Sequence, residues 1–172
     1  WYAPIPASDK ALQVLDHSTM GAPFRIREIR SMLQLGAGAG FEVRYALGNG
    51  VHYLDAVEPH AVLLDLLATS FASRTDSVYY DPRVHWHSIS SRSFLEKKES
   101  RYDLVQLPLM GTFGGSVGLN ALEEDWVLTR EGFKTIWNRL DENGMLAVSC
   151  WIDMPQKMSV RLGALLSDLL EK

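Results

Sequence analysis

A chain of 172 residues, 47% of them apolar and 22% charged, has ample material for one globular domain with its own core. A net charge of −4 excludes a general nucleic-acid binder, which needs a basic face to displace counterions from phosphates, and Arg25, Arg27 and Arg30 make the only Arg cluster. No apolar run reaches membrane-spanning length and no charged-then-apolar leader opens the sequence, while a single cysteine, Cys150, excludes an internal disulfide framework and fits a reducing, cytoplasmic compartment.

Residues 1–30, with Pro4, Pro6 and Pro23, read as an irregular segment wrapping the edge of a sheet. Residues 31–172 read as the folded domain. Met32 to Leu35 is a first short strand, ending at Gly36-Ala37-Gly38-Ala39-Gly40, and a helix is expected from Phe41 to Leu47, stopped by Gly48-Asn49-Gly50. Tyr53 to Val57 is a second strand, ending at Glu58-Pro59. Leu63, Leu64, Leu67 and Phe71 recur at helical spacing and predict a helix from about His60 to Ala72.

Val84 to Ile89 is a third strand, with a serine-rich exit and a short helix around Ser93 to Lys98. His85 and His87 alternate and share one face, but no further ligand stands at metal spacing, so no metal site is expected. Asp103 to Leu107 is a fourth strand, followed by a Gly-rich stretch, 111–118, that reads as a lid or a plain surface loop. Thr129 is an N-cap, and Phe133, Ile136, Trp137 and Leu140 form the apolar face of the next helix. Asp141-Glu142-Asn143-Gly144 predicts a turn into a fifth strand, Met145 to Ile152, where Cys150 reads as a small buried hydrophobe. Leu162, Leu165, Leu166, Leu169 and Leu170 mark a last amphipathic helix.

Alternating strands and helices predict a parallel sheet with helices on both faces, a doubly wound α/β domain. In such a sheet the turn after the first strand is where nucleotides bind. Gly36, Gly38 and Gly40 let the backbone turn sharply and approach a ligand. A dinucleotide fingerprint, G-x-G-x-x-G, would place glycine at position 41, which is Phe41; G-x-G-x-G fits the loop against which a S-adenosylmethionine-like ligand packs. A ligand-free tight turn is the alternative. Glu58 ends the second strand 18 residues after Gly40, where a carboxylate can accept hydrogen bonds from both ribose hydroxyls; it can equally cap the following helix. Ser90 and Ser91, at the exit of the third strand, can hydrogen-bond an adenine edge or serve the loop alone.

The ordered set Leu35–Ala46 (LGAGAGFEVRYA), Asp55–Glu58 (DAVE), Arg92–Leu95 (RSFL), Arg101–Gln106 (RYDLVQ) and Val127–Phe133 (VLTREGF), with Asn143-Gly144, resembles the polyamine aminopropyltransferases, in particular the spermidine-synthase-like branch of the class I S-adenosylmethionine-dependent methyltransferase superfamily. The resemblance covers roughly residues 22 to 153. It implies a Rossmann-like sheet and a nucleoside pocket built from Gly36, Gly38, Gly40 and Glu58, with adenine near Ser90 and Ser91. It also implies S-adenosylmethionine or its decarboxylated form as cofactor, no metal, and a small-molecule substrate such as an amine. A homodimer is compatible with it. Sheets of this class end in an antiparallel hairpin beyond the fifth strand; the sequence opens at Trp1 and closes after residues 159–171, so it reads as a piece of a longer protein lacking those strands, and membrane attachment through another part stays open.

Two departures stand out. The family carries an acidic residue followed by a small one where this chain has Ser90 and Ser91. It also carries Asp-x-x-Asp after the fourth strand, where this chain has Pro108-Leu109-Met110-Gly111 and no acid to bind and deprotonate an amine. Asp103 begins that strand and points away from the ligand end. Three readings follow: a transferase moving a methyl or aminopropyl group, a nucleoside-binding or interaction module without chemistry, and a NAD-linked oxidoreductase, the last opposed by Phe41.

Overall fold

A computed structural model describes residues 12–70, 78–110, 126–150 and 155–171. Among these residues five strands form one sheet in the order β3-β2-β1-β4-β5: β1 (Ser31–Leu35), β2 (Tyr53–Val57), β3 (Val84–His87), β4 (Tyr102–Met110) and β5 (Leu140–Cys150). Every neighbouring pair is parallel. Among the described residues the helices are α1 (Ala22–Ile26), α2 (Phe41–Gly48), α3 (Ala61–Ala68), α4 (Ser91–Lys97), α5 (Arg130–Trp137) and α6 (Lys157–Leu170), with 3-10 turns at Gln13–His17 and Val78–Tyr80.

Alternation along the strands splits the core into two layers. Leu33, Leu35, Val105 and Leu107 face a layer holding Phe94 and Leu95 of α4, Phe133 and Ile136 of α5 and Leu162 of α6. Met32, Leu54, Ala56 and Leu104 face the other, with Val43 and Ala46 of α2. Both sheet faces are covered, so the central strands read as nearly continuous apolar runs. The doubly wound parallel sheet expected from the sequence is the fold observed.

Several boundaries differ, each for a local reason. Ser90 caps α4 with its hydroxyl accepting from Ser93 N–H, so that helix starts at Ser91 and β3 stops at His87. The turn expected at Asp141–Gly144 is an irregularity inside β5. There Tyr102 pairs with Leu140 and Leu104 with Met145, so three extra residues are accommodated on β5. Gly144 makes this possible, because a Cβ would lie 2.8 Å from both Tyr102 O and Asp141 N. Thr129 caps α5 as expected, accepting from Gly132 N–H. Leu170 stands 69% exposed, outside the apolar stripe of α6, and Cys150 is half-buried on the edge strand instead of buried.

The N-terminal segment also differs from expectation. Residues 12–30 contain two helical turns, the second started by Pro23 in its first turn, where a missing N–H costs nothing. Leu12 and Leu15 pack on Tyr45 of α2, Gln106 Nε2 of β4 donates to Met20 O at 3.1 Å, and Thr19 meets Ser149 of β5 at 3.1 Å. The segment thus crosses a sheet face from α2 to β5. The helix expected to run to Ala72 ends at Ala68, with Thr69 as its C-cap, while the Gly-rich stretch 111–118 and the strand end at Ile152 lie outside the described residues. No helix among the described residues is long and apolar enough to cross a membrane.

Candidate functional site

The chain runs outward from β1 to β2 and β3, then returns to place β4 on the other side of β1. The reversal opens a crevice at the carboxyl ends of β1 and β4, where ligands bind in open α/β sheets. Gly36 leaves β1 at φ +82°, a left-handed conformation that suits glycine, and a Cβ there would lie 3.9 Å from Pro108 Cγ. Gly36 and Ala37 both donate their N–H to Val57 O at 2.9 Å, which ties the loop to the end of β2. Gly40, at φ +81°, precedes α2; a Cβ would meet Trp86 Cη2 at 3.1 Å. Tyr79 stacks on Trp86 with ring centroids 4.5 Å apart and donates to Ala39 O at 2.9 Å. The aromatic pair buttresses the loop, and burial, with Glu58 adding to it, raises the Tyr79 phenol above its ordinary range.

Glu58 follows β2 directly, and its own N–H donates to His87 O of β3. Its side chain is 4% exposed, yet the carboxylate is well supplied with donors. Oε2 accepts Gly38 N–H at 2.8 Å; Oε1 accepts His60 N–H at 3.1 Å and lies 2.5 Å from His60 Nδ1. The same carboxylate therefore braces the glycine loop and the residue that caps α3, so the helix-capping role coexists with its place in the crevice. His60 went unnoticed in the sequence, although Glu58-Pro59-His60 is a spacing at which a side chain can fold back on the acid.

The other expected residues divide. Gly36, Gly38, Gly40 and Glu58 converge on one loop. Ser90 is spent on α4: its hydroxyl accepts Ser93 N–H at 3.1 Å and donates to Ser93 Oγ at 3.0 Å. Ser91, beside it, is half-buried at the helix start. Pro108 occupies the crevice side of β4 facing Gly36, while Gly111 lies outside the described residues. Asp103 stands at the opposite end of the sheet, accepting from the N–H groups of Arg30 and Ser31 at 2.9 Å each.

Three polar features were missed. Glu42, in the first turn of α2, has its carboxyl pushed above the ordinary range by burial, against a hydrogen bond from its own N–H. Asp55, fully buried on β2, accepts from Lys98 Nζ at 2.7 and 2.8 Å and Tyr102 OH at 2.6 Å, with His87 Nε2 at 2.6 Å. Burial would raise its pKa, but these three partners together hold it below the usual carboxylate value. Gln34 and Gln106, register partners on β1 and β4, are fully buried; neither end of the Gln34 amide and not the Gln106 Oε1 has a hydrogen-bond partner. Among the described residues no three His, Cys, Asp or Glu side chains gather as a metal set.

No protein-family model matches the chain. The polyamine aminopropyltransferase of Alkaliphilus oremlandii (strain OhILAs) is 29% identical over 120 residues, which cover 69% of this chain and 39% of that protein. The protein of the same name from Lachnospira eligens is 28% identical with the same coverage. The chain thus spans about two fifths of the length of the curated relatives it matches. Among solved structures, spermidine synthase from Thermotoga maritima superposes with a TM-score of 0.61 at 17% identity, covering 90% of this chain and 48% of that one. The precorrin-6y C5,15-methyltransferase of Geobacter metallireducens GS-15 gives 0.58 at 16% identity, covering 97% and 76%.

These likenesses define the class first: a Rossmann-like sheet of the class I methyltransferase type. Within it, the chain resembles the spermidine-synthase-like branch: its sequence matches are polyamine aminopropyltransferases, and a spermidine synthase is among the structures that share its fold.

Proposed function

We propose that this domain binds the nucleoside of S-adenosylmethionine or decarboxylated S-adenosylmethionine and transfers a methyl or aminopropyl group to a small-molecule acceptor, an amine among the candidates. The observation that carries the reading is Glu58, a carboxylate at the end of β2 joined to the glycine loop through Gly38 N–H. A carboxylate there can take ribose hydroxyls, and the loop can lie against the sugar because Gly36, Gly38 and Gly40 present no Cβ. Ser91, with Ser90 behind it, stands at the adenine end.

The donor would bring a sulfonium carbon already activated toward nucleophiles. The residues of this chain need then only hold the nucleoside and align an acceptor, and alignment alone supplies much of the rate. At Pro108 and Gly111 there is no carboxylate to hold a cationic amine, which favours methyl over aminopropyl transfer. Glu42, half-buried two residues beyond Gly40, has its carboxyl pushed above the ordinary range. The relatives named above carry enzyme names and lend nothing to a module without chemistry; a dinucleotide ligand is opposed by Phe41.

The nucleoside left behind distinguishes the transfers. An amine nitrogen attacking the aminopropyl carbon breaks its bond to sulfur, releases methylthioadenosine and loses a proton; attack on the methyl carbon releases S-adenosylhomocysteine. Chromatography of full-length protein incubated with each donor and a panel of amines tests the proposal. Turnover-dependent appearance of either product supports it, and neither product from either donor, with any acceptor, removes the catalytic half.

A further inference from the structure

Glu58 has more demands on its carboxylate than it can meet at once. An ionised carboxylate offers about four acceptor positions on its two oxygens. Three are taken: Gly38 N–H on Oε2, and His60 N–H and the His60 ring on Oε1. Because the carboxylate only accepts, the 2.5 Å contact to Nδ1 requires that nitrogen to carry the proton. A vicinal diol held by one carboxylate uses two acceptor positions, and only one is left.

One present donor must therefore leave when a ribose enters. Gly38 N–H belongs to a loop pinned to Val57 and Glu58, and His60 N–H belongs to the N-cap of α3. Neither can turn without moving the backbone. The His60 side chain can, being 45% exposed, and it makes no capping bond to α3.

We propose that His60 is a specificity-determining residue of the nucleoside site: its imidazole takes a ribose-hydroxyl position on Glu58, and a ligand must displace it with a vicinal diol. A diol returns two hydrogen bonds to Glu58 for the one removed. A sugar without hydroxyls returns none, so it cannot displace the ring without leaving a buried carboxylate short of a donor, a cost that makes the site select ribose strongly. The inference rests on the nucleoside reading given above.

The test uses 5′-methylthioadenosine and its 2′,3′-dideoxy counterpart as probes, titrated into the full chain and into His60→Ala. Removing the competitor should tighten methylthioadenosine binding by roughly 3- to 10-fold, the equivalent of about one hydrogen bond. The dideoxy compound should gain far less. In the wild-type protein the His60 ring resonances should shift on saturation with methylthioadenosine. Binding that is unchanged or weaker in His60→Ala, with the diol still preferred, overturns the role of His60 and leaves the nucleoside site standing. No binding of methylthioadenosine to either protein overturns both together.

Discussion

The Lys98 ammonium lies 2.7 and 2.8 Å from the two oxygens of Asp55, a carboxylate with no solvent exposure at the centre of β2. Lys98 also reaches Tyr53 OH at 2.8 Å, and Tyr102 and His87 complete the shell around Asp55. The network lies beneath the crevice and joins β2, β3, β4 and the end of α4. Removing one partner of a buried pair leaves an uncompensated charge, so Lys98→Met should destabilise by about 3 kcal/mol in urea unfolding.

The pH dependence of that network has a definite sign. Asp55 is lowered in the folded state, so its contribution is present above the ordinary carboxyl range and is lost as pH falls through the lowered value. Lys98 is raised, burial opposing and the Asp55 hydrogen bond prevailing, so its share is complete at neutral pH and is lost as pH rises through the raised value. Stability should thus sag at both acid and alkaline extremes, and Asp55→Asn should flatten both limbs. A Lys98→Met protein as stable as wild type would contradict this picture.

Gly40 combines a left-handed backbone with a close neighbour. Alanine there costs about 1–2 kcal/mol for the conformation alone, and its Cβ would press on Trp86 at 3.1 Å. Gly40→Ala should lower the unfolding free energy by about 2 kcal/mol and displace the Tyr79–Trp86 stack, seen as a change in tryptophan fluorescence. An unchanged emission spectrum would show that the loop does not lean on Trp86.

Gln34 gives the opposite prediction. Its amide is buried with neither end hydrogen-bonded, so the desolvation of both groups goes unrepaid. Gln34→Leu, close in volume, should stabilise the fold by about 1 kcal/mol in thermal or urea unfolding. A loss of stability instead would reveal a polar partner, such as an ordered water shared with Gln106.

The strand-helix alternation and the glycine loop were legible because both are local. Apolar runs of strand length, glycines between strand and helix and an acid at the next strand end are written in consecutive residues, and Gly36, Gly38, Gly40 and Glu58 do converge. What escaped depends on contacts distant in sequence. Tyr79 reaches Ala39 across 40 positions, and Lys98 reaches Asp55 across 43. The N-terminal segment looked irregular because its helices are one turn each, too short for periodicity to register. Ser90 shows the reverse: a residue suited to a ligand by type is claimed by the helix beside it.

Isothermal titration of the folded protein with S-adenosylmethionine, decarboxylated S-adenosylmethionine, methylthioadenosine and NAD decides whether the glycine loop and Glu58 form a sulfonium-nucleoside site. The predicted result is binding of at least one sulfonium nucleoside and of methylthioadenosine, abolished by Glu58→Ala, with no response to NAD. Silence toward all four from folded full-length protein, or binding that survives Glu58→Ala undiminished, would contradict it.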